Sequence, residues 1–531
     1  LRGDQAGENW HPSTTFYGFR YCAITATEDV EISQIKAVPI SSSTEETGDI
    51  QTGSSIINQL YSNIVWGQRG NLLSIPTDCP QRDERQGWTA DTQVFSTTGM
   101  FNANTESFYQ KWMTDMRDGQ RPDGAFPDTA PTGYAGFGGA AWSDAGILVP
   151  WYVYRMYGNK EILKENFDAM EKYMTWLSLQ TGDGQYQGAS TTYGDWLSFV
   201  QTDSRYVSMA YYAYDAQLMV KMAQALSTSE TDAFAQKAKD YQLLFNQIRT
   251  AFINRYFYDG TPHQNSQTAL LMALRYRLVT DSAQVVNLTK RLETNIKYNG
   301  NRLNTGFLGT AIINPTLSQF GLNNTAYNLL FQRSNPSWLY PIDQGATTMW
   351  ERWNSYTKDK GFNDPGMNSF NHYAYGAIGE WMYRYMSGIE FDEEQPGFKH
   401  FILQPKPDTR DVIPAQQEKL TQVKASYLSN YGQIESNWNI TDNNQLSYTC
   451  VVPANSTATL YLPTDSATAD GFKYKKNGMD LEGIEYVGYE NQQVILNLGS
   501  GSYNFSVQSP TSVILPSYNH ESLVYPNPTK D

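Results

Sequence analysis

Residues 142–179 read WSDAGILVPWYVYRMYGNKEILKENFDAMEKYMTWLSL. Ile147, Trp151 and Tyr154 follow one another at steps of four and three. In the second half Leu163, Phe167, Met170, Met174 and Leu177 do the same. Residues so spaced share one face of a 3.6-residue helix, so each run has an apolar side to bury. Gly158 and Asn159 separate the runs, and the stretch predicts two helices joined by a short turn.

The same period extends from about residue 53 to residue 388, as in SSIINQLYSNIVWGQ (54–68), RYVSMAYYAYDAQLMVKMAQAL (205–226) and SFNHYAYGAIGEWMYRYM (369–386). About a dozen such segments occur, roughly one per 28 residues, which is a helix plus a short loop. Stacked helical hairpins follow, closing as an open solenoid, a bundle or a toroid of six inner and six outer helices. The long, Gly-rich, aromatic loops at 118–141 and 181–196 suit the toroid, because such loops line cavities.

Outside this region the period changes. FYGFRYCAITATEDVEISQIKAVPI (16–40) alternates apolar with polar residues and predicts strands half buried on a sheet, followed by a polar Ser/Thr/Glu linker over 41–49. Beyond Gly388, runs such as QLSYTCVVPANSTATLYLP (445–463) alternate likewise, with turn residues every eight to twelve positions, as in an antiparallel β-sandwich. The expected division is therefore 1–48, the end of a β-sandwich domain and a linker; 49–388, a helical catalytic domain; 389–513, a second β-sandwich; and 514–531, a tail. With no initiator Met and no signal-peptide pattern at its start, the chain reads as part of a longer protein.

Composition narrows the function. Among 531 residues, 39 Lys and Arg face 54 Asp and Glu, a net charge of −15 that repels phosphate backbones and anionic lipid. Nucleic acid is not an expected partner, and no apolar run approaches the ~20 residues of a membrane span. Three scattered cysteines and five histidines without ligand spacing offer no expected metal site, and no cofactor is expected. The chemistry then falls to carboxylates, Tyr or a His.

The densest polar cluster is TDCPQRDERQGWTAD (77–91). Acids at a helix start complement its dipole, and capping accounts for part of the pattern. It leaves unexplained Trp88 and Asp91, which on a helix would share a face with Glu84. A carboxylate beside Trp in a half-dry pocket keeps its proton to higher pH, as a general acid must. A second cluster, TTMWERWNSY (347–356), isolates Glu351 between Trp350 and Trp353. Two carboxylates across an aromatic-walled cavity are what glycoside hydrolysis requires. Trp142, Tyr193 and Trp196 offer ring faces for a sugar, Asp144 and Asp195 could accept from its hydroxyls, and His372 could donate to one.

Together with AWSDAGILVPW (141–151), YGDWL (193–197) and the segment ending EWMYR at 384, and in this order, these motifs resemble glycoside hydrolase family 78, the inverting α-L-rhamnosidases. The resemblance implies a multidomain α and β protein, an (α/α)6 toroid flanked by antiparallel β-sandwich domains. It implies Glu84 as general acid and Glu351 as general base, with Asp78, Asp91 and His372 on rhamnose hydroxyls. Trp88, Trp142 and Trp196 would wall the pocket around the 6-methyl group, while Arg82 and Asp83 would orient Glu84. Gln86 and Ala90 depart from the family pattern. The substrate class implied is a rhamnose-containing glycoside or polysaccharide. The tail SLVYPNPTKD resembles the opening of a Bacteroidota type IX secretion sorting domain, which implies a secreted, periplasmic or cell-surface enzyme. Two other functions fit an aromatic cavity: a polysaccharide lyase on the same fold, and a non-catalytic carbohydrate-binding surface protein.

Overall fold

The computed structural model describes residues 7–19, 21–42, 45–180, 185–189, 193–258, 260–441, 443–465, 473–476 and 484–509. The helices are α1 (Ser55–Asn71), α2 (Thr89–Asn102), α3 (Glu106–Asp118), α4 (Ala145–Tyr157), α5 (Glu161–Ser178), α6 (Ser204–Leu226), α7 (Ala233–Tyr256), α8 (Gln267–Arg275), α9 (Ser282–Tyr298), α10 (Phe307–Gln319), α11 (Asn323–Leu330) and α12 (Leu339–Asp343). Many starts are set by side chains written in the sequence. Ser54, Asp203, Asp232, Ser266 and Asp281 each accept from a backbone N–H one turn on, satisfying a donor that the helix itself leaves unpaired. Gly158 ends α4 at φ 75°, a left-handed conformation that favours glycine.

Burial sorts the helices into two kinds. All of α2 and most of α4, α6, α8 and α10 are buried, whereas α3, α5, α7 and α9 bury one face. The first kind forms an inner circuit in which α2 packs on α4, α4 on α6, α6 on α8, α8 on α10 and α10 back on α2. A helix apolar all round is stable only inside such a circuit, and the amphipathic helices cover its outside. Residues 374–387 complete the circuit beside α2 and α10, as successive 3₁₀, α and π turns rather than the single long α-helix expected. Gly376 and Gly379 there lie against Phe95 and Thr98 of α2, leaving no room for a Cβ at Gly379.

Two sheets follow. One runs, in spatial order, Gly48–Thr52, Gln422–Ser429, Gly432–Ile440, Gln445–Val452, Gly501–Gln508 and Lys473–Lys476. The other runs Ile484–Glu490, Gln493–Leu498, Thr457–Pro463, His400–Leu403 and Ile389–Phe391. Pairing is antiparallel except that Thr457–Leu460 runs parallel to His400–Leu403, so the expected wholly antiparallel arrangement is corrected at this pair. Alternate residues such as Val423, Trp438, Tyr448, Leu460 and Phe505 are buried, as the period-two pattern requires.

The strands expected within 16–40 do not form among the described residues, which are without strand and almost all exposed. Alternation creates an apolar face, but a strand also needs a neighbour to take its backbone hydrogen bonds, and among the described residues no backbone ladder reaches this segment. The segment meets the helical region where Phe16 lies 4.7 Å under the Arg85 guanidinium. The expected linker is also more ordered than its polarity suggests: Gly48–Thr52 adds a strand to the first sheet, paired with Val423–Tyr427. The reading of the tail 514–531 lies outside the described residues.

Helices and sheets share one junction. Trp438 donates to the Met386 carbonyl (2.8 Å), Ser436 donates to that of Ser387 (2.6 Å), and Tyr383 stacks on Phe101 with ring centres 4.7 Å apart. Between them Gly388 turns the chain at φ 85° with its Cβ position against the Pro405 backbone. Gly388→Ala is therefore expected to destabilise the protein by about 2 kcal/mol or more, checked by urea unfolding; an unchanged midpoint would refute the steric argument.

Candidate active site

The site is built by two loops. In the first, the Asp78 N–H donates to the Gln86 carbonyl (3.0 Å), and the Gln86 N–H donates to Asp78 Oδ1 (2.9 Å). This closes residues 78–86 into a ring with Arg85 at φ 47°. Gln86 thus acts through its backbone, and its departure from the family pattern leaves Asp78 in place. Since α2 begins only at Thr89, Glu84, Trp88 and Asp91 do not share a helical face as expected; the loop brings the first two together. In the second loop the Glu351 N–H donates to the Ser369 carbonyl (2.9 Å), Ser369 N–H donates to Glu351 Oε2 (2.8 Å), and His372 N–H donates to the Met349 carbonyl (2.9 Å). Gln81 ties the loops by donating to Ser369 Oγ at 2.8 Å.

Arg82 joins the two carboxylates. Its Nη2 donates to Glu84 Oε2 at 2.5 Å, and its Nη1 donates to Glu351 Oε2 at 3.1 Å. Asp78 Oδ2 lies 3.7 Å from Nη2. Arg82 therefore does more than orient Glu84, and Asp83, fully exposed, is only 3.9 Å from Arg85 and takes no part. The other oxygen of Glu84 accepts from Trp88 Nε1 (2.8 Å) and the Tyr134 hydroxyl (3.3 Å). Sequence reasoning missed Tyr134: its only signal is an aromatic in a Gly-rich loop.

Asp91 and His372 form a buried pair, Oδ1 to Nε2 at 3.1 Å. His372 Nδ1 is buried and makes no hydrogen bond among the described residues. The aromatic wall centres on Tyr193, which stacks on Trp142 at 4.3 Å and meets Trp88 and Trp196 edge-on at 5.9 and 6.4 Å. Tyr193 is held by donating to Asp128 Oδ2 (3.1 Å), and Asp128 also accepts from the Gly139 N–H and the Ser143 hydroxyl. The structure thus gathers Asp78, Glu84, Trp88, Asp91, Glu351 and His372 at the two loops, with Trp142 and Trp196 on the wall beside Trp88.

Asp144 and Asp195 are corrected from hydroxyl acceptors to framework. Asp195 is fully buried and accepts from the Thr268 hydroxyl and the N–H groups of Gly306, Leu308 and Gly309, holding the start of α10. Asp144 accepts from the Tyr173 hydroxyl and the Ala141 N–H. Its neighbour Asp215 is driven far above the usual carboxylate range by burial and by the Asp144 charge. Trp350 and Trp353 likewise pack inward, on Phe370 and Tyr375.

Charge is divided unevenly. Burial acts to raise Glu351, but His372, Arg82 and the Ser369 N–H outweigh it and hold this carboxyl below its ordinary value. Burial pushes Asp78 up to about 7, against the pull of His372 and with the charge of Glu84 adding to the rise. His372 is held above its ordinary value because Asp91, Glu351 and Asp78 outweigh burial. Among the described residues one group could hold a metal ion: Asp78, Cys79 and Glu84, whose ligand atoms lie within 4.8 Å of one another. The Cys79 thiol there donates to Asp78 Oδ2 and burial raises it, and Arg82 already supplies a cation to the two carboxylates, a poor setting for a metal.

Residues 45–386 match the model of the bacterial alpha-L-rhamnosidase 6 hairpin glycosidase domain, and residues 388–475 that of the bacterial alpha-L-rhamnosidase C-terminal domain. The chain belongs to the bacterial alpha-L-rhamnosidase family. It is 37% identical to an alpha-L-rhamnosidase of Streptomyces avermitilis over 96% of the chain and 46% of that protein. It is 36% identical to one of Formosa agariphila over 94% of the chain and 53% of that protein. The chain thus spans about half the length of these relatives. The structure superposes on that of the Streptomyces avermitilis alpha-L-rhamnosidase complexed with L-rhamnose with TM-score 0.78, covering 88% of this chain and 43% of that one. The alpha-L-rhamnosidase of Aspergillus terreus gives 0.75 at 29% identity, covering 88% and 51%. These matches carry the multidomain fold, a six-hairpin helical region followed by β-sheets.

The upward shift of Asp78 makes a prediction about stability in this family member. In the unfolded chain Asp78 ionises near its ordinary value of 3.8 and in the folded chain near 7, so folding increasingly opposes its charge as pH rises between them. Asp78→Asn is expected to melt several degrees higher than the parent at pH 8, with the melting difference shrinking as pH falls toward 4. A pH-independent difference in calorimetry would overturn the assignment.

Proposed function

We propose that this chain is a glycoside hydrolase of family 78 that cleaves terminal α-L-rhamnosides with inversion, on an (α/α)6 toroid followed by a β-sandwich. The observation that carries the reading is the pair Glu84 and Glu351 held by one guanidinium beside an aromatic wall. The two contacts lie on neighbouring nitrogens of a rigid fork, so the held oxygens are less than about 8 Å apart, a bound that retaining pairs at ~5–5.5 Å and inverting pairs from ~6.5 Å both meet, and the anomer released first decides between them.

Glu351, kept ionised, takes a proton from a water that attacks C1, while Glu84 gives its proton to the departing glycosidic oxygen. Asp78, Asp91 and His372 would bind ring hydroxyls, and Trp88, Trp142 and Trp196 would enclose the 6-methyl face. The cycle closes when bulk water reprotonates Glu84 and deprotonates Glu351. No cofactor enters the proposal. A rhamnose-containing glycoside or polysaccharide is the proposed partner, and export rests on the sequence of the tail alone.

Proton NMR of the anomeric region during hydrolysis of p-nitrophenyl α-L-rhamnopyranoside is expected to show β-L-rhamnose first. Initial α-rhamnose would require a covalent intermediate and a different pairing of roles, and release of no rhamnose from this and natural rhamnosides would move the assignment to a lyase or binding protein. Glu84→Gln is expected to lose at least ~10²-fold in kcat on a sugar leaving group and far less on p-nitrophenolate, which needs little protonation. Glu351→Gln should lose activity on both alike.

A further inference from the structure

Among the described residues Glu84 has three donors, and they differ in where they lie. Arg82 approaches from the side shared with Glu351, and Trp88 from the aromatic wall, where its ring meets Tyr193. The third, Tyr134, is 75% exposed. Its hydroxyl reaches Glu84 Oε1 at 3.3 Å, and its ring stands edge-on to Trp88 at 6.4 Å. A general acid touches the oxygen that bonds sugar to leaving group, so the leaving group begins at Glu84 and extends toward solvent. Of the acid's three donors, the solvent-exposed one is the Tyr134 ring.

The loop carrying Tyr134 is built to hold it there. Ala130 N–H donates to the Gly87 carbonyl (2.9 Å), Thr89 N–H donates to the Asp128 carbonyl (3.1 Å), and Trp88 bridges to Thr129. The loop's base is therefore fixed to the backbone on either side of Trp88. Within the loop, Asp128 N–H donates to the Gly136 carbonyl (2.9 Å) and Gly133 N–H donates to Thr129 Oγ1 (3.1 Å), closing the turn around Tyr134. Gly87 permits the approach, since a Cβ there would collide with the Ala130 carbonyl.

We propose that Tyr134 is the platform on which the leaving group of the substrate lies, and that it selects leaving groups with a flat apolar face, such as a pyranose or an aromatic ring. The proposal deepens the rhamnosidase reading and rests on it. An exposed aromatic ring fixed at its base stacks such a group at little entropic cost, and an aromatic contact of this kind is worth about tenfold in affinity.

The test compares kcat/KM on a rhamnosyl-glucose disaccharide with that on methyl α-L-rhamnopyranoside, whose leaving group has no ring. Tyr134→Ala is expected to lower the disaccharide-to-methyl ratio about tenfold, mainly through KM, while Tyr134→Phe, which keeps the ring, holds the ratio within about twofold. Inhibition by free L-rhamnose, which leaves this side empty, should move less than twofold in either variant. An unchanged ratio in Tyr134→Ala, or an equal loss of rhamnose binding, would overturn the platform while leaving the rhamnosidase reading intact. A parent protein that turns over neither substrate would overturn the rhamnosidase reading and the platform with it.

Discussion

The site depends on the Arg82 guanidinium. Asp78, Glu84 and Glu351 all lie within 4 Å of it, and two of these carboxylates are almost wholly buried. Carboxylates this close, taken from water, would repel one another and shed their charge by binding protons. An arginine stays charged in any surroundings, and its planar fork can hold two acceptors at once. Its effect is selective: Glu351, which also faces His372 and the Ser369 N–H, is held down, while Asp78, farther from the guanidinium and deeper in the protein, is pushed up to about 7. Burial and one shared cation thus give two acids of the same chemistry opposite preferences.

Holding such a cluster requires a stiff surround. The two loops that carry it have few turns of regular structure, and their order comes from backbone bonds closed within and between them, from Asp78 to Gln86 and from Glu351 to Ser369. Behind the wall, Asp195 is anchored by three N–H groups at the start of α10, and Asp144 is held by the Tyr173 hydroxyl and the Ala141 N–H. These acids are fully buried and carry no exposed oxygen to a ligand; their work is to position Trp142, Trp196 and the loop between them. The buried helices α2, α4, α6, α8 and α10, each packed on the next, supply the support on which this rests. The sheets lock the far end of the circuit through Trp438, Ser436 and the Gly388 turn.

Much of this was legible in the chain itself. The steps of four and three in Leu163, Phe167, Met170, Met174 and Leu177 appear as the buried face of α5, and the period-two runs after Gly388 appear as strands. The same local logic fails at 16–40, where alternation is present and a pairing neighbour is not. It fails also at Glu84 and Trp88, which meet across a loop rather than along a helix.

The sequence by itself determined the helical and strand periods, the acidic balance, and the residue types of the site, because periodicity, charge and motif are properties of neighbours along the chain. Tertiary structure alone decided that Arg82 spans Glu84 and Glu351, 269 positions from itself in the second case. It also decided that Asp144 and Asp195 serve the frame, and that the Tyr134 hydroxyl reaches Glu84. The physical reason is that burial and pairing are set by what the fold brings alongside: a carboxylate is held charged, braces the frame or caps a helix according to which donors reach it.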